Sequence, residues 1–133
     1  MQTETIYALA SGRGRAGVAV IRLSGSRAFD VIDRLTDKDL PAIRLAAVRD
    51  IFSLDRSFRI DQALILLFEG PESFTGEDVA EIHLHGGPAL ITALFDQFTK
   101  LDGLRPAEPG EFTRRAFEHD KMDLTEAEGL GDL

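Results

Sequence analysis

Val79-Ala80-Glu81-Ile82-His83-Leu84-His85, followed at once by Gly86-Gly87-Pro88, is the stretch on which the fold of this chain turns. Successive side chains of a strand point to opposite faces, so Ala80, Ile82 and Leu84 share one face while Val79, Glu81, His83 and His85 share the other. One face packs and the other presents polar chemistry. The glycine pair stops the strand, and Pro88 opens a helix, because proline is favoured at the first helical position. Leu90, Ile91, Leu94, Phe95, Phe98 and Leu101 then recur as an apolar stripe. A half-buried strand feeding an amphipathic helix predicts a domain that contains both sheet and helix.

Working outward towards the N-terminus, the acidic, turn-rich run Gly70-Pro71-Glu72-Ser73-Phe74-Thr75-Gly76-Glu77-Asp78 is too polar for a core and reads as a loop with room for function. Before it, Ala63 to Phe68 is an unbroken apolar run, expected to be a central strand buried on both faces. Shorter strands are expected around Leu45 to Leu54 and near Phe58. Thr5 to Ala10 and Val18 to Leu23 have strand composition and are joined by a glycine-rich turn. Ser26 is the expected cap of a helix whose apolar positions are Phe29, Val31, Ile32 and Leu35.

Towards the C-terminus, the Pro106 to Gly110 connection leads into a short helix from Glu111 to about Glu118, with Phe112 and Phe117 expected as its core contacts. Asp123-Leu124-Thr125-Glu126 has the form of a capping box and predicts a further helix, cut at Leu133 before any C-terminal cap. The expected organisation is one domain over residues 1–121, with residues 122–133 the start of a further helix.

Composition narrows the function classes. The 133 residues suffice for one core, and 44% hydrophobic with 29% charged residues is the balance of a globular protein. No apolar run approaches the roughly 18 residues of a membrane span, and no targeting signal is visible at the N-terminus, so a cytoplasmic location is expected. Cysteine is absent, which excludes disulfides and thiolate chemistry in this segment. A net charge of -8 repels a phosphate backbone, and only Arg13, Arg15 and the Arg114-Arg115 pair gather positive charge. The segment alone is not expected to carry a nucleic acid.

Several motifs need weighing. Gly12-Arg13-Gly14-Arg15-Ala16-Gly17 spells the dinucleotide fingerprint, but a strand follows it where that motif needs a helix N-terminus, so a hairpin-type loop is the better reading. No P-loop motif occurs, and the segment is not itself a P-loop GTPase. Glu81, His83 and His85 share a strand face and could hold a metal, yet a further ligand is not evident, and histidines bonded at a sheet surface are preferred. No metal site and no catalytic residue is assigned. Glu81 in a β-rich run must be exposed, paired or ligand-binding. Arg22, on the face of Val18 and Val20, needs a partner too, either an internal acid such as Glu81 or a ligand. Lys121, between Asp120 and Met122, reads by itself as a solvated charge.

Three stretches taken together go further: Gly14-Arg-Ala-Gly-Val-Ala-Val-Ile-Arg-Leu-Ser-Gly25, then Gly70 to Asp78 running into His85-Gly-Gly-Pro88, then Pro109 to Phe117 with Asp120-Lys-Met-Asp-Leu124 and Ala127-Glu128. In this order and spacing the chain resembles the N-terminal domain of the MnmE/TrmE tRNA-modification GTPases over nearly its whole length. The resemblance implies an α+β fold, a mixed β-sheet packed with helices, related to the tetrahydrofolate-binding domain of glycine-cleavage aminomethyltransferases. It also implies a homodimer formed through this domain and a reduced folate, 5-formyl- or 5,10-methylenetetrahydrofolate, bound near the dimer interface. By motif the family's folate contacts fall on Arg22, Glu81 and Lys121. A carboxylate at Glu81 suits the ring N–H and exocyclic amine of a pterin, while cations at Arg22 and Lys121 suit the one-carbon group or the glutamate tail.

The same resemblance implies a parent protein that continues into a helical domain with an inserted GTPase domain using GTP, Mg and K, and ends in a cysteine-containing motif. That parent works with a flavin-dependent partner, MnmG, to place an aminomethyl or carboxymethylaminomethyl group on C5 of the wobble uridine of certain tRNAs. Relatives often carry Pro-Pro ahead of the Gly-Arg-Gly turn and glycine where this chain has Ala16 and Ala19. The rival readings are a free-standing folate-dependent one-carbon transferase, for which no acid or base stands out, and a small metal hydrolase built on Glu81, His83 and His85.

Overall fold

The computed structural model describes residues 4–11, 17–85 and 87–120. Its elements run β1 (Thr5–Leu9), β2 (Val18–Ser24), α1 (Ala28–Leu35), β3 (Ala47–Phe52), β4 (Arg59–Phe68), β5 (Val79–His85), α2 (Pro88–Phe98), β6 (Leu104–Pro106) and α3 (Glu111–Glu118). The strands form one sheet in the order β3-β4-β5-β2-β1-β6, antiparallel throughout except for β1 beside β6. A mixed sheet with helices is the α+β class that the family resemblance implies.

Period-2 patterning decides which face is covered. Ile21 and Leu23 of β2, Ala63, Ile65 and Leu67 of β4, and Ala80, Ile82 and Leu84 of β5 join one core with Val31, Ile32 and Leu35 of α1 and Leu94 and Phe98 of α2. Both helices therefore lie on the same face of the sheet. Tyr7 closes this core at the β1 edge, its ring set edge-on to Phe98 at 4.7 Å and to Phe95 at 5.0 Å between centroids. The buried Gln97 ties α2 to the turn after β3, its side-chain oxygen accepting the Leu54 N–H at 2.9 Å.

The opposite face carries no helix layer over β3, β4 and β5, and here three expectations need correcting. Ala63 to Phe68 is not a central strand buried on both sides: β4 lies one strand from the edge, Leu64 is 41% exposed, and the centre of the sheet is β5 and β2. With helices on one face only, even a continuous apolar run alternates in burial. Ser26 is not the cap of α1. That place falls to Arg27, whose backbone N–H is taken by the Thr5 hydroxyl of β1 at 2.9 Å. Finally, α3 does not dock through its phenylalanines: Phe117 is exposed, and the buried positions are Glu111, Thr113, Arg115 and Ala116. Glu111 and Arg115 are one helical turn apart and present an ion pair, not a ring, to the rest of the domain. The expected helix at Asp123–Glu126 and the boundary between residues 121 and 122 lie outside the described residues.

A candidate ligand cleft on the open sheet face

Register places the two charged strand residues opposite each other. Arg22 of β2 pairs with Glu81 of β5, which pairs with Leu66 of β4, and in the next row Val20, His83, Leu64 and Val48 line up across four strands. Directly opposed side chains of opposite charge attract. Arg22 donates from Nε at 3.1 Å and from Nη2 at 2.9 Å to one oxygen of Glu81, and His83 Nε2 meets the other at 3.0 Å. Arg22 and Glu81 thus satisfy one another internally, one of the alternatives left open by the sequence.

Burial pushes the Glu81 carboxyl upward, but the hydrogen bonds from His83 and Arg22 outweigh it and hold the group below the ordinary carboxylate value. Glu81 is therefore a fixed anion at neutral pH. Over this pair opens a cleft of about 360 Å³ lined by Arg22, Arg44, Phe68, Phe74, Glu81 and neighbouring loop residues. Two aromatic rings face it, with the Arg22 guanidinium 5.4 Å from the Phe74 centroid and that of Arg44 5.3 Å from Phe68. A site lined by the carboxylates of Glu72 and Glu81, two guanidinium groups and two rings can hold a flat, polar molecule that offers both donors and acceptors.

The loop 70–78 forms one wall of the cleft and is anchored from behind. Ser24 at the end of β2 bonds the Thr75 hydroxyl at 2.7 Å and donates to Glu77 at 2.7 Å. Arg115 of α3, only 3% exposed, donates to Glu77 at 2.9 Å, to Glu111 at 3.2 Å, to the Ser24 carbonyl at 3.3 Å and to the Glu4 carbonyl at 2.8 Å. A buried guanidinium with this many acceptors is compensated, not stranded. Gly76 completes the seam: its φ of +84° belongs to the left-handed region, and an added Cβ would stand 2.7 Å from His119 Cβ. Loop, strand end and α3 are therefore one mechanical unit behind Phe74.

Of the residues expected from sequence, Arg22 and Glu81 meet in the cleft, and Lys121 lies outside the described residues, as do Arg13 and Arg15. His85 does not join Glu81 and His83. Its backbone N–H and its Nδ1 are each 2.9 Å from the Asp61 carboxylate instead. No three histidine or acidic side chains converge among the described residues. Arg44, Phe68, Phe74 and Arg115 were not among the expected site residues. Only Arg115 had a signal, as half of a basic pair, whereas Arg44 sits in a segment without periodicity.

No described helix is long and apolar enough to cross a membrane. In comparisons with known proteins, a family model described as the GTP-binding protein TrmE N-terminus matches residues 5–121. The tRNA modification GTPase MnmE of Zymomonas mobilis is 52% identical over 98% of this chain, which covers 30% of that protein. The mitochondrial 5-taurinomethyluridine-tRNA synthase subunit GTPB3 of Danio rerio is 54% identical over 98% of the chain and 26% of its own length, and the human protein of that name is 51% identical over 97% and 26%. The chain thus spans between a quarter and a third of the length of the curated relatives it matches. A family match running from β1 past the end of α3, together with identities above one half over almost every residue, establishes that this chain belongs to the TrmE N-terminal domain family.

Proposed function

We propose that this domain is the reduced-folate-binding and homodimerisation module of a longer tRNA-modifying GTPase. The observation that carries the proposal is the Arg22–Glu81 pair fixed at the floor of an aromatic-walled cleft. A pterin presents a ring N–H and an amine side by side, and an ionised carboxylate accepts both. Glu81 is the pterin reader in this reading, 5-formyl- or 5,10-methylenetetrahydrofolate is the ligand, and Arg22 and Lys121 serve the one-carbon group and the tail.

The domain binds and orients, while turnover belongs elsewhere. GTP, Mg and K are used by the GTPase domain of the whole protein, and the transfer to C5 of the wobble uridine in the tRNA is carried out in the cytoplasm with the flavin-dependent MnmG-type partner. The uncovered sheet face supports a second copy as the other half of the homodimer: Val18, Val48 and Leu64 are 48%, 53% and 41% exposed there. Calorimetric titration of the full-length protein with 5-formyltetrahydrofolate tests the folate site. Glu81→Ala is expected to abolish binding with unfolding by urea unchanged within about 1 kcal/mol; near-normal affinity overturns the assignment.

A further inference from the structure

We infer that Arg44 is a further receptor for the glutamate tail of the ligand, whose two carboxylates can engage more than one cation, and so sets a preference for folates that carry that tail. The inference rests on the reading of the cleft as a folate site. Of the two arginines that line it, Arg22 is neutralised by Glu81, but Arg44 has no carboxylate partner among the described residues. Its side chain donates to a backbone carbonyl, that of Glu72, at 3.3 Å and lies over the Phe68 ring. Neither contact cancels the charge. A guanidinium with donors to spare at the rim of a cleft matches a carboxylate in two-pronged geometry.

The placement of Arg44 is built, not incidental. Its backbone holds φ at +65°, a left-handed conformation uncommon for a residue with a Cβ. The Arg44 N–H donates to the Leu67 carbonyl at 2.8 Å, which pins the residue against the free side of β4 beyond the end of β3. β4 separates it from β5, so Arg44 and Glu81 stand about two strand spacings apart, roughly 10 Å. Phe68 lies on the sheet face between them. A ligand whose ring meets Glu81 and whose aromatic middle crosses β4 brings its tail to Arg44. Opposed ends of the cleft then read opposed ends of one molecule.

The test pairs two ligands with three variants of the full-length protein. 5-Formyltetrahydrofolate and its analogue in which an uncharged primary amide replaces the glutamate, 5-formyltetrahydropteroyl amide, are titrated into wild type, Arg44→Asn, Arg44→Lys and Glu81→Ala. Asparagine tolerates the left-handed backbone, so Arg44→Asn removes the charge without adding strain. Arg44→Asn is expected to weaken the tailed ligand about tenfold and leave the tail-less one unchanged, with Arg44→Lys restoring part of the loss. Equal losses for both ligands, or none, with Glu81→Ala still abolishing binding, overturn the role of Arg44 and leave the cleft standing. Failure of wild type to bind either ligand overturns both.

Discussion

Replacing Glu111 by Gln should cost the domain about 3 kcal/mol at neutral pH and almost nothing near pH 2. Glu111 is 4% exposed and its two oxygens take the Arg105 fork at 2.7 and 2.6 Å, with further bonds from the Glu108 N–H at 2.9 Å and Arg115 at 3.2 Å. Those contacts, the Arg105 hydrogen bonds foremost, hold its carboxyl at about 2 instead of the ordinary 4.5. A carboxyl lowered by that much contributes about 3 kcal/mol, fully present above the unfolded-state value and lost as pH falls from about 4.5 towards about 2. Glutamine keeps the shape and one acceptor, but turns an amide against a guanidinium. Urea unfolding followed by far-UV circular dichroism, at steps from pH 7 to pH 2, measures the gap between the two proteins. With a slope of about 1–3 kcal/mol per molar urea, the midpoint at pH 7 falls by about 1–3 M. The two midpoints should converge in acid. A gap that is absent at pH 7, or that persists unchanged to pH 2, would refute the view that charge and not shape makes Glu111 a structural residue.

Two more outcomes follow from the geometry. Gly76→Ala adds a Cβ at a φ of +84° against His119, and should lower stability by about 1–3 kcal/mol and weaken 5-formyltetrahydrofolate binding, since the loop that carries Phe74 must shift; an unchanged melting curve and affinity would show the loop to be independent of α3. Leu64→Lys, on the uncovered face, should leave the unfolding free energy of the subunit within about 0.5 kcal/mol of wild type and convert the proposed homodimer of the full-length protein to monomer in light scattering; a persisting dimer would place the second copy elsewhere.

Elements with their own period were legible in the sequence. β5 and α2 show it most plainly, since Ala80, Ile82 and Leu84 alternate and Leu94 and Phe98 recur at helical spacing, and both elements run where the pattern puts them. Arg22 and Glu81 were visible as charges needing partners, because a strand face tells which side a residue is on. What it does not tell is which strand lies alongside: the pairing of β2 with β5 crosses more than fifty residues of intervening chain, and only that pairing makes the two charges a site. β6 was missed since three residues beginning after a turn carry no period, and they become a strand only by lying along β1. The mistake over α3 has a similar origin. Phe112 and Phe117 look like core by residue type, but the space under α3 is filled by Glu77, Ser24 and the Glu4 carbonyl ahead of β1, which want hydrogen bonds and not rings. Arg44 was invisible because its role depends on a backbone twist and on the end of β4, neither of which composition encodes.

The position of β1 between β2 and β6 has a consequence for how the domain is made. Its first strand is hydrogen-bonded on one side to residues 18–24 and on the other to Leu104–Pro106, and Arg115 reaches back to the carbonyl of Glu4. During synthesis the β1–β2 hairpin can close early, since its partners are near in sequence, but the outer edge of β1 stays unpaired until almost the whole domain has left the ribosome. The emerging domain therefore carries an open strand edge until β6 arrives to seal it, and α3 follows with the arginine that ties itself to the backbone just ahead of β1.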